Sequence, residues 1–182
     1  MSEAGTHTSI ARARSGATAG SAPPTPPTPP RPPTEAAVRA ALAEVPDPEL
    51  PVLSVVDLGI IHRVAITTDG IDVAILPTFV GCPALDVIRA TIADELGERF
   101  GRPVRVETTF EVPWTSDRLS PAGREALATV GIAPPADDPS DVRCPFCASH
   151  DVAMDSAFGP TQCRSLFYCR ACRQPFEALK SV

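Results

Sequence analysis

Cys144-Pro145-Phe146-Cys147, then twenty-one residues, then Cys169-Arg170-Ala171-Cys172, is the stretch that fixes the C-terminal architecture. Two thiolates three positions apart on a tight turn can face one ion, and two such knuckles make a tetrahedral four-thiolate site. The spacer is slightly longer than the usual zinc-site template, but it fits two short strands and a turn. A segment of roughly forty residues buries too little apolar surface to fold alone, so a metal would serve as its core. The pattern predicts a zinc ribbon over residues 142–182, with Cys144, Cys147, Cys169 and Cys172 as ligands of one structural zinc. Iron in a rubredoxin-like site would use the same four thiolates. Zinc is preferred because the chain lacks an aromatic-rich core of the kind such redox modules carry, only 5% of its residues being Phe, Trp or Tyr.

Working outward from the ribbon, residues 131–141, rich in Pro and Asp, read as a linker. Residues 34–130 then make a second domain. Thr34 is a helix N-cap, with Val38, Leu42 and Val45 on one stripe until Pro46 and Pro48 stop the helix. Asp47-Pro48-Glu49-Leu50-Pro51 must be a constrained, non-helical loop. A strand is predicted over 60–67. Asp69-Gly70 marks a hairpin, and a second strand runs over 71–76. Leu85, Ile88, Ile92 and Leu96 give the buried stripe of a helix from Pro83 to Phe100, ended by Gly101. A third strand is expected over 104–112, and Ser120-Pro121 opens a short helix. The expected fold is therefore α+β: a small α-β-β-α-β domain with a mixed sheet, followed by the ribbon.

Eight of the 22 prolines fall between Pro23 and Pro33, in a run that favours extended polyproline II and cannot pack a core. Residues 1–33 read as a disordered tail. The start of the chain shows no charged segment followed by an apolar one, so no secretory signal is expected. No apolar run approaches the roughly eighteen residues of a membrane span. A cytoplasmic location is expected, where thiols stay reduced and paired CxxC motifs bind metal or do redox work. Charge is uneven: residues 1–33 carry +2, 34–140 carry −9 and 141–182 carry +1. The acidic central domain would repel a phosphate backbone, which argues against nucleic acid despite Arg164, Arg170, Arg173 and the Phe167-Tyr168 pair in the ribbon.

Cys82 stands apart from the paired cysteines. Gly81 before it permits a sharp turn, and Pro83 after it fixes a helix entry. At a helix N-cap, unpaired amides would stabilise its thiolate. The sequence leaves two readings open, a poised thiol or a buried cysteine behaving as a small apolar residue. Asp57, in the Asp57-Leu58-Gly59 turn, is the candidate neighbour, or else a turn carboxylate bonding its own backbone. Cys163, between the knuckles, is a possible additional thiol, although four ligands already saturate a structural zinc. His7, His62 and His150 have no spacing that marks a base for Cys82. There is no GxGxxG, P-loop or GxSxG, so catalysis by this chain alone is not expected.

Residues 45–59 (VPDPELPVLSVVDLG) and 77–84 (PTFVGCPA) resemble the small domain of SufT-like and cytosolic iron–sulfur assembly proteins. With 113–117 (PWTSD), 131–135 (GIAPP) and 156–166 (SAFGPTQCRSL), the resemblance narrows to PaaD, the D component of the bacterial phenylacetyl-CoA epoxidase system. It runs from about residue 35 to the C-terminus. It implies a cytoplasmic accessory protein of phenylacetate catabolism that assists maturation of an iron–sulfur or iron centre. The implied partners are other subunits of the epoxidase, especially its iron–sulfur reductase or di-iron subunit. A stoichiometric, non-catalytic subunit is the alternative. By this resemblance Cys82 matches the cysteine of the assembly-domain motif and is the candidate transient ligand of iron or a cluster. Cys144, Cys147, Cys169 and Cys172 match the ribbon ligands, and Cys163 matches a cysteine of the family's FGxTxC stretch. The chain departs from the family at Pro160, where Ser or Thr is common.

Overall fold

A computed structural model describes residues 32–181. The tail read over residues 1–33 lies outside the described residues, apart from Pro32 and Pro33, as does His7.

Helix α1 (Glu35–Leu42) begins where the Thr34 hydroxyl accepts the Ala37 N–H at 3.2 Å, a cap that satisfies one of the first orphan amides. It stops at Leu42, three residues short of the expected end. Val45 is still buried, but as part of the loop that carries Pro46 into a bridge with Ser54. Strands β1 (Ile61–Ile66) and β2 (Ile71–Ile75) form an antiparallel hairpin across the Asp69-Gly70 turn. Helix α2 (Ala84–Phe100) buries Ala84, Ile88, Ile92 and Leu96, and Gly101 closes it in the left-handed region at φ 61°. It crosses to β3 (Val104–Thr108), which lies parallel to β2, so the sheet is mixed in the order β1-β2-β3. The expected third strand is cut short. Phe110 (68% exposed) and Val112 (39%) do not continue the buried face, because no partner strand extends past Thr108.

The chain then folds back under the sheet. Trp114 is buried and donates its indole N–H to the Leu58 carbonyl at 2.9 Å, while Arg118 Nε donates to Gly59 O at 2.9 Å. Helix α3 (Pro121–Thr129) is capped by Ser120, whose hydroxyl accepts the Gly123 N–H. The stretch read as linker is structured at its start. Ile132–Ala133 forms strand β4, parallel to the last strand of the ribbon. The ribbon proper is β5 (Val152–Ser156), β6 (Arg164–Cys169) and β7 (Pro175–Leu179), giving the order β4-β7-β6-β5.

Two cores result. The larger lies between α1, α2 and the mixed sheet. The smaller lies under the ribbon, where Phe167 stacks on Phe176 at 5.6 Å between ring centres. They are not independent. Leu179 of β7 belongs to the larger core, and Cys163 and Ile132 pack against it. The ribbon is thus docked on the α+β domain through its own last strand. Among the described residues, no helix is long and apolar enough to cross a membrane.

Candidate metal centre and thiol cleft

The two knuckles close in the same way. The Cys144 N–H donates to Ser149 O at 3.0 Å, and the Cys169 N–H donates to Gln174 O at 2.9 Å, five residues on in each case. The residue after each second cysteine takes the left-handed conformation, Ala148 at φ 59° and Arg173 at φ 60°. Neither is glycine, so each turn stores strain of roughly 1 kcal/mol or more. The equivalence brings all four sulfurs within 4.8 Å of one another, with Cys144 to Cys172 and Cys147 to Cys169 each at 3.6 Å. A tetrahedral ion with metal–sulfur bonds of about 2.3 Å requires sulfur–sulfur edges of about 3.8 Å. The residues therefore fit one metal ion as they stand. Two of the thiols differ in how tightly they hold their protons. The Cys172 N–H, donated to the Cys169 sulfur at 3.5 Å, draws the Cys169 thiol down to about 7, whereas burial and its three neighbours push Cys172 up to about 12. A metal bound by all four thiolates would displace their protons.

Some of the basic and aromatic side chains of the ribbon are committed elsewhere, whereas Tyr168 is 40% exposed. Phe167 is buried. Arg164 pairs with Glu177 at 2.6 Å, and Arg170 faces Asp151 at 3.6 Å.

Cys82 lies in a different place, at the foot of a narrow cleft where the α+β domain meets the ribbon. Gly81 takes φ 81°, as its position before a sharp turn requires. Cys82 is not the N-cap: helix α2 begins at Ala84 behind Pro83, with no side-chain cap. The expected stabilised thiolate is corrected accordingly. Burial pushes the Cys82 thiol above its ordinary value, the Ala84 amide only partly offsets this, and Glu49, Cys163 and Asp47 add to the upward push. Burial likewise raises Cys163.

Asp57 is not brought to Cys82 and does not line the cleft. Its two carboxylate oxygens accept the hydroxyl protons of Ser54 and Ser120, both at 2.7 Å. These bonds, Ser54 first, hold its carboxyl below the usual range. The carboxylate thus bonds two serine side chains, while the backbone N–H of Asp57 donates to the Ser54 hydroxyl at 3.0 Å. Around Cys82 stand instead Asp47, Glu49, Cys163 and Lys180, over a floor that includes Leu50 and Trp114. Its interior of about 20 Å³ admits one water-sized group. Sequence reasoning passed over Asp47, Glu49 and Lys180. The signal for the first two was available, as two acids inside a loop that prolines hold rigid. Nothing local marks Lys180, which reaches the cleft only because β7 docks there.

Two family profiles match the chain. One, described as iron-sulfur cluster assembly protein, covers residues 35–107, and the other, PaaD zinc beta ribbon domain, covers 133–180. A protein of Escherichia coli (strain K12), provisionally named as the D component of 1,2-phenylacetyl-CoA epoxidase, is 38% identical over 149 residues, 79% of this chain and 90% of that protein. The chain belongs to the PaaD family. Two solved structures each resemble about half of this chain. A domain of unknown function (DUF59) from Bacillus anthracis is 26% identical over 51% of this chain and 90% of its own, with a TM-score of 0.48. A conserved hypothetical protein from Thermotoga maritima is 35% identical over 50% of this chain and 91% of its own, with a TM-score of 0.44. The four-cysteine cluster of this PaaD protein falls inside the matched ribbon, whereas Cys82 falls inside the matched assembly part.

Proposed function

We propose that this PaaD-family chain is a non-catalytic accessory factor of a phenylacetyl-CoA epoxidase, assisting the iron–sulfur or iron centre of another subunit, with Cys82 as a transient ligand of the cargo. The reading rests above all on the position of Cys82. It is a half-buried thiol beside two carboxylates, in a cleft of the part matched by the iron–sulfur assembly profile and apart from the ribbon cluster. The ribbon metal is zinc in this reading. Zinc has no redox chemistry, and a closed four-thiolate shell leaves no position for a substrate, so the ribbon's part is structural and in docking the client. The partners are the reductase or di-iron subunits, met in the cytoplasm.

The test is the iron and acid-labile sulfide content of each epoxidase subunit, produced with the wild-type chain, with Cys82→Ala, and without the chain. The expected result is one under-loaded subunit in the last two cases. Full loading of every subunit in all three would overturn the proposal. Co-elution of the chain with an active complex would then favour a stoichiometric structural subunit.

A further inference from the structure

The maturation reading needs Cys82 to meet both a cargo and a second protein, yet the thiol is half-buried between two walls. One wall is the turn before it, residues 78–81, from the α+β domain. The other is the β5–β6 connection, residues 157–163, from the ribbon. Phe79 on the first and Pro160, Thr161 and Gln162 on the second line an outer hollow of about 140 Å³ that Cys82 also lines. The inner cleft, lined by Cys82 as well, has room for one water-sized group.

Each wall is closed on itself. In the first, the Cys82 N–H donates to Phe79 O at 3.2 Å, and the Leu85 N–H donates to Cys82 O at 3.3 Å. In the second, the Gly159 N–H donates to Arg164 O at 2.9 Å, and Arg164 Nε donates to the Thr161 hydroxyl at 2.9 Å. A Cβ at position 159 would stand 2.9 Å from Arg164 O, so glycine is what lets this turn close. Among the described residues, no hydrogen bond runs from one wall to the other. Nor do the walls bury their outermost apolar side chains on each other: Val80 is 81% exposed and Phe158 80%. Two units with their own bonds and little shared apolar surface can part without unfolding either.

The tie between them is Lys180. Its ammonium donates to Gln162 O at 2.7 Å, which clips the ribbon wall. The same ammonium lies 5.6 Å from the ring centre of Phe79 on the opposite wall and 5.4 Å from that of Phe158. A cation shared by two rings, one from each wall, attracts both. Its own mooring is firm. The Lys180 backbone N–H donates to Cys163 O at 2.8 Å, and Leu179 before it is buried in the larger core.

We infer that residues 78–81 and 157–163 form a clasp over Cys82, latched by the Lys180 ammonium, which opens by parting of the two walls. Closed, it limits what reaches the thiol to water-sized groups. Open, it gives the thiol to a larger occupant. The latch is a point attraction at the end of a flexible stem, so releasing it leaves the backbone bond to Cys163 and the β7 pairing in place. Opening is therefore a local equilibrium of the cleft and not a separation of the ribbon from the α+β domain. That the occupant is iron or a cluster rests on the maturation reading, whereas the clasp itself does not.

The test is the rate of Cys82 alkylation by iodoacetamide in the full, zinc-loaded chain, read peptide by peptide by mass spectrometry. Lys180→Met keeps the stem and the backbone bond but removes the ammonium. Phe79→Leu removes the ring on the opposite wall. Each should speed Cys82 alkylation about fivefold or more, and the double variant should be no faster than Lys180→Met, because both release one latch. The ribbon cysteines should stay unreacted, with zinc at one per chain. The thiolate is the reacting form, so loss of a nearby positive charge would by itself slow the reaction; acceleration reads opening. Wild-type rates in both single variants would overturn the clasp. So would equal acceleration at the ribbon cysteines, which would mean that the whole chain had loosened. No cargo is involved, so either result leaves the maturation reading standing. Full iron loading with Cys82→Ala would remove that reading and leave the clasp.

Discussion

Replacing Asp57 by Asn tests whether this carboxylate is structural. Its two oxygens accept the protons of Ser54 and Ser120, and each of those hydroxyls in turn accepts a backbone N–H, from Asp57 itself at 3.0 Å and from Gly123 at 2.9 Å. Each serine therefore has its single proton committed to Asp57. In Asp57→Asn one oxygen becomes an amide NH2, and the serine facing it loses its acceptor. One hydrogen bond to a charged group is worth roughly 1.5–3 kcal/mol. For a chain of 182 residues this predicts a fall in Tm of roughly 3–12 °C. The same bonds depress the carboxyl pKa, so the folded state favours the ionised form. The contribution is present above the unfolded value of about 3.9 and is lost as pH falls through the lower, folded value. Urea unfolding followed by the fluorescence of Trp114, the chain's one tryptophan, is the assay. The gap between wild type and variant should hold steady from pH 8 down to about 5 and close under stronger acid. A gap under about 0.5 kcal/mol at neutral pH, the scatter of ordinary surface substitutions, or one that widens on acidification, would refute the reasoning.

Three further outcomes are expected. Asp47→Asn should show the opposite pH trend: burial raises the Asp47 carboxyl, so the folded state holds its proton and wild-type stability falls as pH rises. The variant should gain on wild type in urea midpoints as pH rises above the unfolded carboxyl value of about 3.9; no gain would show that the Glu49 and Leu50 amides outweigh desolvation. Removing the ribbon metal with a chelator should release one ion per chain and collapse amide protection across β5, β6 and β7, with partial loss around Leu179, as read by hydrogen exchange. Retention of protection in β6 would contradict a metal-supported ribbon. Gly59→Ala should lose roughly 3 kcal/mol or more, because φ is +72° and a Cβ would meet Arg118 O at 2.1 Å. A soluble variant with a wild-type melting curve would count against the packing of the Trp114 segment over that turn.

What the sequence showed and what it hid divide along a physical line. The four ribbon ligands were legible because metal geometry is local: two residues between thiols suffice to aim both at one ion, and the left-handed turns at Ala148 and Arg173 complete the knuckles without glycine. Helix α2 was legible from its stripe, and α3 from Ser120 and Pro121. Strand β3 was overextended because alternation continued through Phe110 and Val112 after its partner had ended, and alternation alone does not reveal where a neighbour stops. For Asp57, in a turn just before the first strand, the sequence leaves open a neighbour of Cys82 or a turn carboxylate bonding its own backbone. Only the tertiary fold shows the Asp57 turn occupied by the cap of α3.

The docking of the ribbon lay beyond any local pattern, and it changes what the metal does for the molecule. Since β7 places Leu179 in the larger core and Lys180 over Phe79, the sheet that the four thiolates organise also forms one wall of the Cys82 cleft. A ribbon joined by a free linker would leave that cleft open on one side. Here β4 shortens the connection by pairing with β7, at Ile132 opposite Glu177 and Ala133 opposite Ala178. Metal occupancy of the ribbon and the shape of the cleft are therefore expected to be coupled through β7. Perturbing Ala133 or Ala178, both buried, should loosen the two together, read as faster loss of the ribbon metal to a chelator and faster alkylation of Cys82.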